Sequence, residues 1–141
     1  MSNDAIIEEL VRRVGTLEAE MERLASTREL FAILNENTPA QITSTQNDYN
    51  PGDYDSLRLS ADAARTITGI SGGVKGRVLR LVFTGSSSIT LAHESASSAA
   101  ENRIRTPAGV DLVFSAIATS AGALLYYDST TERWRVLSYE L

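Results

Sequence analysis

The sequence predicts a mainly β protein: an N-terminal α-helical coiled coil followed by a small antiparallel β-sandwich or barrel head, assembled as a homo-oligomer. Apolar residues near the N-terminus recur at alternating spacings of three and four residues, the pattern of helices that wind around one another. From Gln41 onward, apolar residues alternate with polar ones, and serine, threonine and glycine become frequent. Several strand candidates are apolar on both faces, which indicates burial against a neighbouring copy as well as against the core.

The helical segment runs from Asp4 to Leu24, and Ser2 or Asp4 can cap its N-terminus. β-branched residues at the a positions with leucine at the d positions favour a dimer, whereas Ile6 and Val11 widen the apolar face and favour three strands. The sequence leaves these two alternatives open. We call the apolar stripe the helix seam; its residues are Ile7, Leu10, Val14, Leu17, Met21 and Leu24.

The alternative to a seam between copies is an ordinary amphipathic helix packed on the protein's own body. Two features argue against it. The flanks of the seam are heavily charged, and Arg13 and Glu18 occupy the g position and the following e position. This pair has the signs and spacing of a salt bridge between parallel chains, which selects partners more than it stabilises them.

The chain divides into three predicted regions: a stem at residues 1–34, a linker and loop at 35–55, and a β-rich head at 56–141. A capping box at Ser26 and Glu29 predicts a break in the stem near Ser26 and Thr27. A short second helix would then continue to Leu34. Four apolar residues would plug the joint between stem and head: Leu30, Phe31, Ile33 and Leu34.

Period-two alternation between turn signals predicts a series of short strands. Residues 94–105 do not alternate and are predicted to form a crossing loop or a short helix. The predicted strands are Ala40–Thr45, Ser56–Leu59, Arg65–Ile70, Arg77–Thr84, Ser88–His93, Asp111–Ala118, Gly122–Tyr127 and Arg133–Tyr139.

The composition argues against several functions. The net charge of −5 and the lack of a basic cluster argue against nucleic-acid binding. The chain has no cysteine, so neither disulfides nor thiol chemistry support the fold. The sequence shows neither a signal peptide nor an apolar run of the roughly 20 residues needed to span a membrane. We therefore expect a protein made in the cytoplasm without membrane contact.

No catalytic residue, metal ligand or cofactor is predicted. The only histidine, His93, has no adjacent partner for metal binding and is expected to be a hydrogen-bonded structural residue. No G-x-S-x-G motif supports a serine nucleophile, although a Ser/His/Asp arrangement remains formally open. The glycines between Gly69 and Gly76 lack the spacing of a phosphate loop and are predicted to form a tight turn.

The acidic loop between Asp48 and Asp55 offers several oxygen ligands for a cation, but a solvated turn is the simpler interpretation. Paired carboxylates for glycan hydrolysis remain a further alternative. Tyr49 and Tyr54 lie in this loop, whereas the other aromatic candidates lie in predicted strands. These two tyrosines are therefore the predicted contacts with a partner.

A series of loose motifs follows in order between Asp53 and Val136. In this order they resemble a β-module that recurs in virion proteins of tailed bacteriophages, mainly tail-fibre and head-fibre-like appendages. The motifs are Ile70 with Gly72-Gly73 and Gly76-Arg77, Ile89-Thr90-Leu91 with His93, Asn102-Arg103-Ile104, Asp111-Leu112, and Tyr127-Asp128 with Arg133-Trp134.

This resemblance implies a non-enzymatic module of a homotrimeric fibre on the outside of the virion, and it supplies no catalytic residues. It also implies that the N-terminal stem docks to capsid or tail proteins. The short stem and single head favour a small decoration or head-fibre protein. The alternative is a fibre tip that binds a receptor or glycan on the host surface through loops such as Tyr49 to Tyr54.

Overall fold

The structure is a computed structural model that describes residues 2–115 and 120–141, with helix side chains described as far as Leu24. It comprises two compact units, Met1–Asn35 and Glu36–Leu141. A 3₁₀ turn lies at Ala100–Asn102. The remaining elements are α1 (Asn3–Leu34), β1 (Glu36–Asn37), β2 (Ser56–Leu59), β3 (Arg65–Ile67), β4 (Val78–Phe83), β5 (Ile89–Leu91), β6 (Ile104–Arg105), β7 (Leu112–Phe114), β8 (Gly122–Asp128) and β9 (Arg133–Glu140).

The first unit is a single unbroken helix. The Ser2 hydroxyl accepts a hydrogen bond from the Ala5 N–H at 3.3 Å, which confirms Ser2 as the N-cap. The predicted break at Ser26 and Thr27 is wrong, because α1 continues to Leu34. Serine and threonine each cost a helix interior less than about 0.7 kcal/mol relative to alanine, which is too little to end it. The predicted plug of Leu30, Phe31, Ile33 and Leu34 falls on side chains outside the described residues.

The chain is a small α/β fold of one helix and mixed sheets, so the predicted fold class is wrong in two respects. First, within residues 2–115 and 120–141 there is one α-helix with an exposed seam, and no coiled coil is seen. The heptad repeat determines which residues share a face of the helix, but it does not determine what covers that face.

Second, the sheets are not antiparallel. The strands form a six-stranded sheet in the order β1-β2-β4-β8-β9-β6 and a three-stranded sheet in the order β3-β5-β7. The pairs β1–β2, β2–β4, β3–β5 and β6–β9 are parallel, whereas β4–β8, β5–β7 and β8–β9 are antiparallel. Alternating apolar residues assign side chains to faces, but the alternation is the same for parallel and antiparallel neighbours.

The parallel pairs arise because the chain passes back and forth between the two sheets in stacked coils. Glu36 pairs with Ser56, and Ser56 pairs with Arg80, so three successive passes lie side by side. On the other sheet Arg65 pairs with Ile89, and Tyr49 forms an isolated bridge with Ile70. Residues 36–55, treated as a linker in the sequence analysis, therefore lie in the first coil of the β domain.

The strand bounds differ from the prediction mainly where pairing is sparse. Ser56–Leu59 is found as predicted. The predicted strand Ala40–Thr45 is instead an irregular segment with one bridge, at Ile42. Of the predicted strand Asp111–Ala118 the structure contains Leu112–Phe114, and residues 116–118 lie outside the described residues. The predicted crossing segment at 94–105 contains the 3₁₀ turn and β6.

A β-bulge changes the side-chain alternation in β9. Leu124 pairs with Ser138 and Leu125 pairs with Val136, so Leu137 is the extra residue. Regular alternation would place Ser138 on the same face as Trp134 and Val136. Trp134 and Val136 are buried, whereas Ser138 is exposed and does not share their face. The bulge therefore places both Leu137 and Ser138 outside the core.

The core of the β domain is one cluster built from both sheets and centred on aromatic side chains. The indole of Trp134 is fully buried, and its Nε1–H donates a hydrogen bond to the Ile70 carbonyl at 2.8 Å. The Tyr127 ring meets it edge-on at 5.2 Å between centroids. The predicted glycine turn passes beside this pair, and a Cβ at Gly73 would overlap the Tyr127 ring. Glycine is therefore required at position 73 by close packing.

Candidate interaction surfaces

The helix seam is exposed along its whole length. Each of its six side chains retains between 53% and 70% of its accessible surface. Ile6 and Val11, which were predicted to widen the seam, are 43% and 67% exposed. Contiguous exposed apolar patches are rare on monomers, which makes the helix seam a candidate surface for contact with another protein chain.

Charged residues beside the seam pair within the helix. Glu9 accepts hydrogen bonds from Arg12 at 2.6 Å and from Arg13 at 3.0 Å. These bonds hold the pKa of the Glu9 carboxyl below its ordinary value. Arg13, which the sequence analysis pairs with Glu18 of another copy, therefore has a partner in its own helix.

The two tyrosines predicted to contact a partner differ in their surroundings. Tyr49 packs against the core cluster, and burial raises the pKa of its hydroxyl. Tyr54 is 37% exposed. Its loop is held by the Arg77 guanidinium, which donates hydrogen bonds to the carbonyls of Gly52 at 2.6 Å and Tyr54 at 3.0 Å. Of the two, Tyr54 is the more exposed, whereas Tyr49 is partly buried.

The side-chain oxygens of Asp48 and Asn50 in the acidic loop accept hydrogen bonds within the domain. The Asp48 carboxylate accepts hydrogen bonds from Asn102 Nδ2 at 2.9 Å and from the Ala99 N–H at 3.0 Å. The bond from Asn102, supported by the others, lowers the pKa of Asp48 although desolvation opposes it. The Asn50 side chain accepts from the Gly52 N–H at 2.9 Å. Among the described residues, no group of three or more His, Cys, Asp or Glu side chains is placed to hold a metal ion.

His93 lies at the edge of the core and is hydrogen-bonded. Its Nδ1 accepts from the Thr106 N–H at 3.1 Å, which places the ring proton of the neutral imidazole on Nε2. The backbone N–H of His93, rather than its ring, donates to Asp111 Oδ1 at 2.7 Å. The arrangement therefore does not have the ring-to-carboxylate contact of a catalytic triad.

The sequence analysis missed an ion cluster around Glu94. The Glu94 carboxylate accepts hydrogen bonds at 2.9 Å from both Arg105 and Arg133, and the three residues lie on separate segments. Burial acts to raise the pKa of Glu94, but the bonds from Arg133 and Arg105 outweigh it and hold the pKa below its ordinary value. Glu94 has a φ of 45°, in the left-handed region, which glutamate rarely adopts and which the sequence therefore does not predict.

Replacing Glu94 by glutamine is expected to lower the free energy of unfolding by roughly 1 kcal/mol near neutral pH and to flatten its dependence on acid pH. The pKa of Glu94 is lower in the folded chain than in the unfolded chain, where it is about 4.3. Its contribution is therefore fully present above that value and is lost as the pH falls through the folded-state pKa.

Urea unfolding at a series of pH values measures this effect, with Glu101→Gln as the control at an exposed carboxylate. An acid dependence identical in Glu94→Gln and the unaltered chain would contradict the account.

A second apolar surface lies on the side of the six-stranded sheet that faces away from the core. Val78 and Val82 on β4 are 41% and 46% exposed, and Leu137 at the bulge is 55% exposed. Leu124 and Tyr126 on β8 are partly exposed between them. We call these five residues the outer patch. They form the second apolar face noted in the sequence analysis, and its burial against a neighbouring copy stays a prediction.

No helix in the described part of the chain is long and apolar enough to cross a membrane. Comparison of the chain with protein-family models, curated proteins and solved structures yields no match. The exposed helix seam and the outer patch are thus the features from which a function is argued.

Proposed function

We propose that this chain is a non-enzymatic structural protein of a tailed-bacteriophage particle, a small homotrimeric fibre or decoration appendage. The order of motifs between Asp53 and Val136 supports the phage assignment through its resemblance to the β-module of such appendages. In this proposal the protein is made in the host cytoplasm and becomes part of the virion.

The observation that carries the proposal is the exposed helix seam. Burying an apolar side chain of the size of leucine or isoleucine contributes about 1.5–3 kcal/mol, so a seam of six such residues provides a strong drive to associate. The seam is continuous over about 25 Å at 1.5 Å per residue, longer than an isolated surface contact. Copies of the chain therefore associate through this face, and the charged flanks stay in solvent.

In the same proposal, the solvent-facing side of the helix docks to a capsid or tail protein. Glu8 and Glu22 lie at b positions of the heptad, away from the seam, and both are exposed. Reversing their charge in the variant Glu8→Lys/Glu22→Lys changes the docking side of the helix and leaves the six seam residues intact.

Particles carrying this variant are expected to contain several-fold less of the protein, measured by quantitative immunoblotting of purified virions. The control is Asp53→Lys, a single charge reversal at an exposed loop residue of the β domain. Undiminished incorporation of the helix variant would contradict docking through the stem. Absence of the unaltered protein from purified particles would contradict the proposed function itself.

A second candidate function is contact with a receptor or glycan on the host surface. The observation that favours it is the exposed Tyr54, in a loop that Arg77 holds in place. The same particle preparations distinguish the two functions. A structural appendage predicts normal adsorption of Tyr54→Ala particles to host cells, whereas a receptor-binding tip predicts its loss.

A further inference from the structure

The outer patch occupies the middle of the six-stranded sheet, opposite the core. Val78, Leu124 and Tyr126 lie on the two adjacent central strands β4 and β8, with Leu137 beside them on β9. The edges of this sheet are less suited to a partner. At one edge, β1 has only two residues and is followed by Pro39, features that limit the addition of a further strand. The face of the sheet is therefore the candidate interface of this domain.

The strand register arranges the exposed side chains in rows across the sheet. The first row contains Val78, Tyr126 and Arg135, which pair in succession from β4 to β9. The second row contains Arg80, Leu124 and Ser138. The third row runs from β2 to β9 and contains Arg58, Val82, Gly122 and Glu140.

The third row carries opposite charges at its two ends. Arg58 lies on the β2 margin of the patch and Glu140 on the β9 margin. Neither forms a salt bridge within residues 2–115 and 120–141, although the Glu140 carboxylate accepts a hydrogen bond from the Ser120 hydroxyl at 3.0 Å. At the level of the third row, the face thus has a basic residue on the β2 side and an acidic residue on the β9 side. The other two rows contain the exposed Arg80 on β4 and the exposed Arg135 on β9, which forms a salt bridge with Asp128.

The same row contains a depression in the face. Gly122 has no side chain, and a shallow depression of about 370 Å³ lies beside it, lined by Leu124, Ser138 and Glu140 among others. Val82 pairs with Gly122 on the neighbouring strand. The face therefore offers projecting apolar side chains beside a shallow depression.

We propose that this face is an interface between copies of the chain, arranged around an axis parallel to the strands. An axis in that direction keeps each row at one level, so the Arg58 margin of one copy meets the Glu140 margin of the next. The outer patch is then buried around the axis, and the margins supply complementary charge that sets the alignment. This inference rests on the self-association in the proposed function, and three copies satisfy both.

The association of the seams strengthens this contact. Once the helices of the copies are joined, the outer patches meet at an effective concentration in the millimolar range. An interface with a dissociation constant near that concentration is then sufficient to form in the assembly. Covering the patch with another copy also accounts for apolar residues on both faces of β4 and β8.

The test uses residues 36–141 alone, since this unit contains the whole buried core cluster. Its association is measured by sedimentation equilibrium at concentrations up to about 1 mM, the range set by the linkage of copies. Arg58→Glu and Glu140→Arg are each expected to weaken association about tenfold or more, as close interfacial charge pairs do. The double variant Arg58→Glu/Glu140→Arg is expected to restore it.

Leu124→Lys is expected to abolish association of this domain, and Val113→Lys, at a residue 51% exposed on the three-stranded sheet, is the control that leaves it unchanged. A domain that stays monomeric, or a charge exchange that does not restore association, would overturn the inference. If the full-length chain is oligomeric, neither of these two results contradicts the proposed function. A monomeric full-length chain instead contradicts the proposed function.

Discussion

Replacing Trp134 by alanine is expected to lower the free energy of unfolding of the β domain by about 3–5 kcal/mol. The indole is fully buried, so its removal leaves a large cavity among the residues that connect the two sheets. The substitution also removes the Nε1–H group that donates a hydrogen bond to the Ile70 carbonyl, and it removes the edge-on contact with the Tyr127 ring. Most natural domains have only about 5–15 kcal/mol of stability, so the variant is expected to be largely unfolded at moderate urea concentrations.

Trp134→Phe separates the hydrogen bond from the bulk of the ring. This variant keeps an aromatic ring but leaves the Ile70 carbonyl without its donor, at an expected cost of about 1–3 kcal/mol. Circular dichroism is the appropriate probe, because Trp134 is the only tryptophan and its fluorescence is lost in both variants. Equal stability of Trp134→Ala and the unaltered domain would show that the indole does not organise the core.

Replacing Leu17 by aspartate is expected to weaken self-association of the full chain by at least about 100-fold. Each buried leucine contributes roughly 1.5–3 kcal/mol, every 1.4 kcal/mol is tenfold in affinity, and one change alters every copy in the assembly. The variant also brings carboxylates together in an apolar interface, where their charge is unpaired.

The matched control is Ala19→Asp, which introduces the same residue at an f position on the opposite face of the helix. Helicity of both variants is compared by circular dichroism, and their dissociation constants are measured by sedimentation equilibrium. If both substitutions raised the dissociation constant equally, the cause would be a less stable helix and not the loss of contacts between seams. An unchanged dissociation constant for Leu17→Asp would contradict association through the seam.

The sequence predicted the parts of this fold that depend on local pattern. The alternation in β4 correctly places Leu79, Leu81 and Phe83 on one face, because side chains of a strand point to the same side at every second residue. In the structure this is the buried face. The N-cap at Ser2 was predictable from residue type, since a hydroxyl can satisfy a free N–H of the first turn. These features require no knowledge of which strands are neighbours.

The stacked coils were not predictable from the same pattern. The parallel register of Ser56 with Arg80 is formed only when the chain returns after a full passage through the second sheet. The bridges made by Ile42 and Tyr49 are isolated, so the first coil shows no sustained alternation. Strand direction depends on the connections between sheets, and a periodicity of two does not contain that information.

The polar contacts near the candidate surfaces were also not predictable from the sequence. The Asp48 carboxylate binds the Asn102 side chain, which lies 54 residues further along the chain. Asp48 also has a φ of 54°, and no glycine or turn motif at this position predicts that conformation. The apolar character of both faces of β8 was visible, but the outer patch became a defined surface only once the register aligned Val78, Tyr126 and Arg135. The residues of the helix seam share one exposed face of α1, as the local pattern indicates, and their role in association stays a prediction.

The solution mass of the unaltered full-length chain, determined by light scattering over a range of concentrations, tests the central claim that this protein is a self-associating structural component. For a homotrimer the expected mass is three times the 15.3 kDa of one chain. A mass of 15.3 kDa at every concentration would contradict it, because the exposed helix seam would then have no copy of the chain to bind.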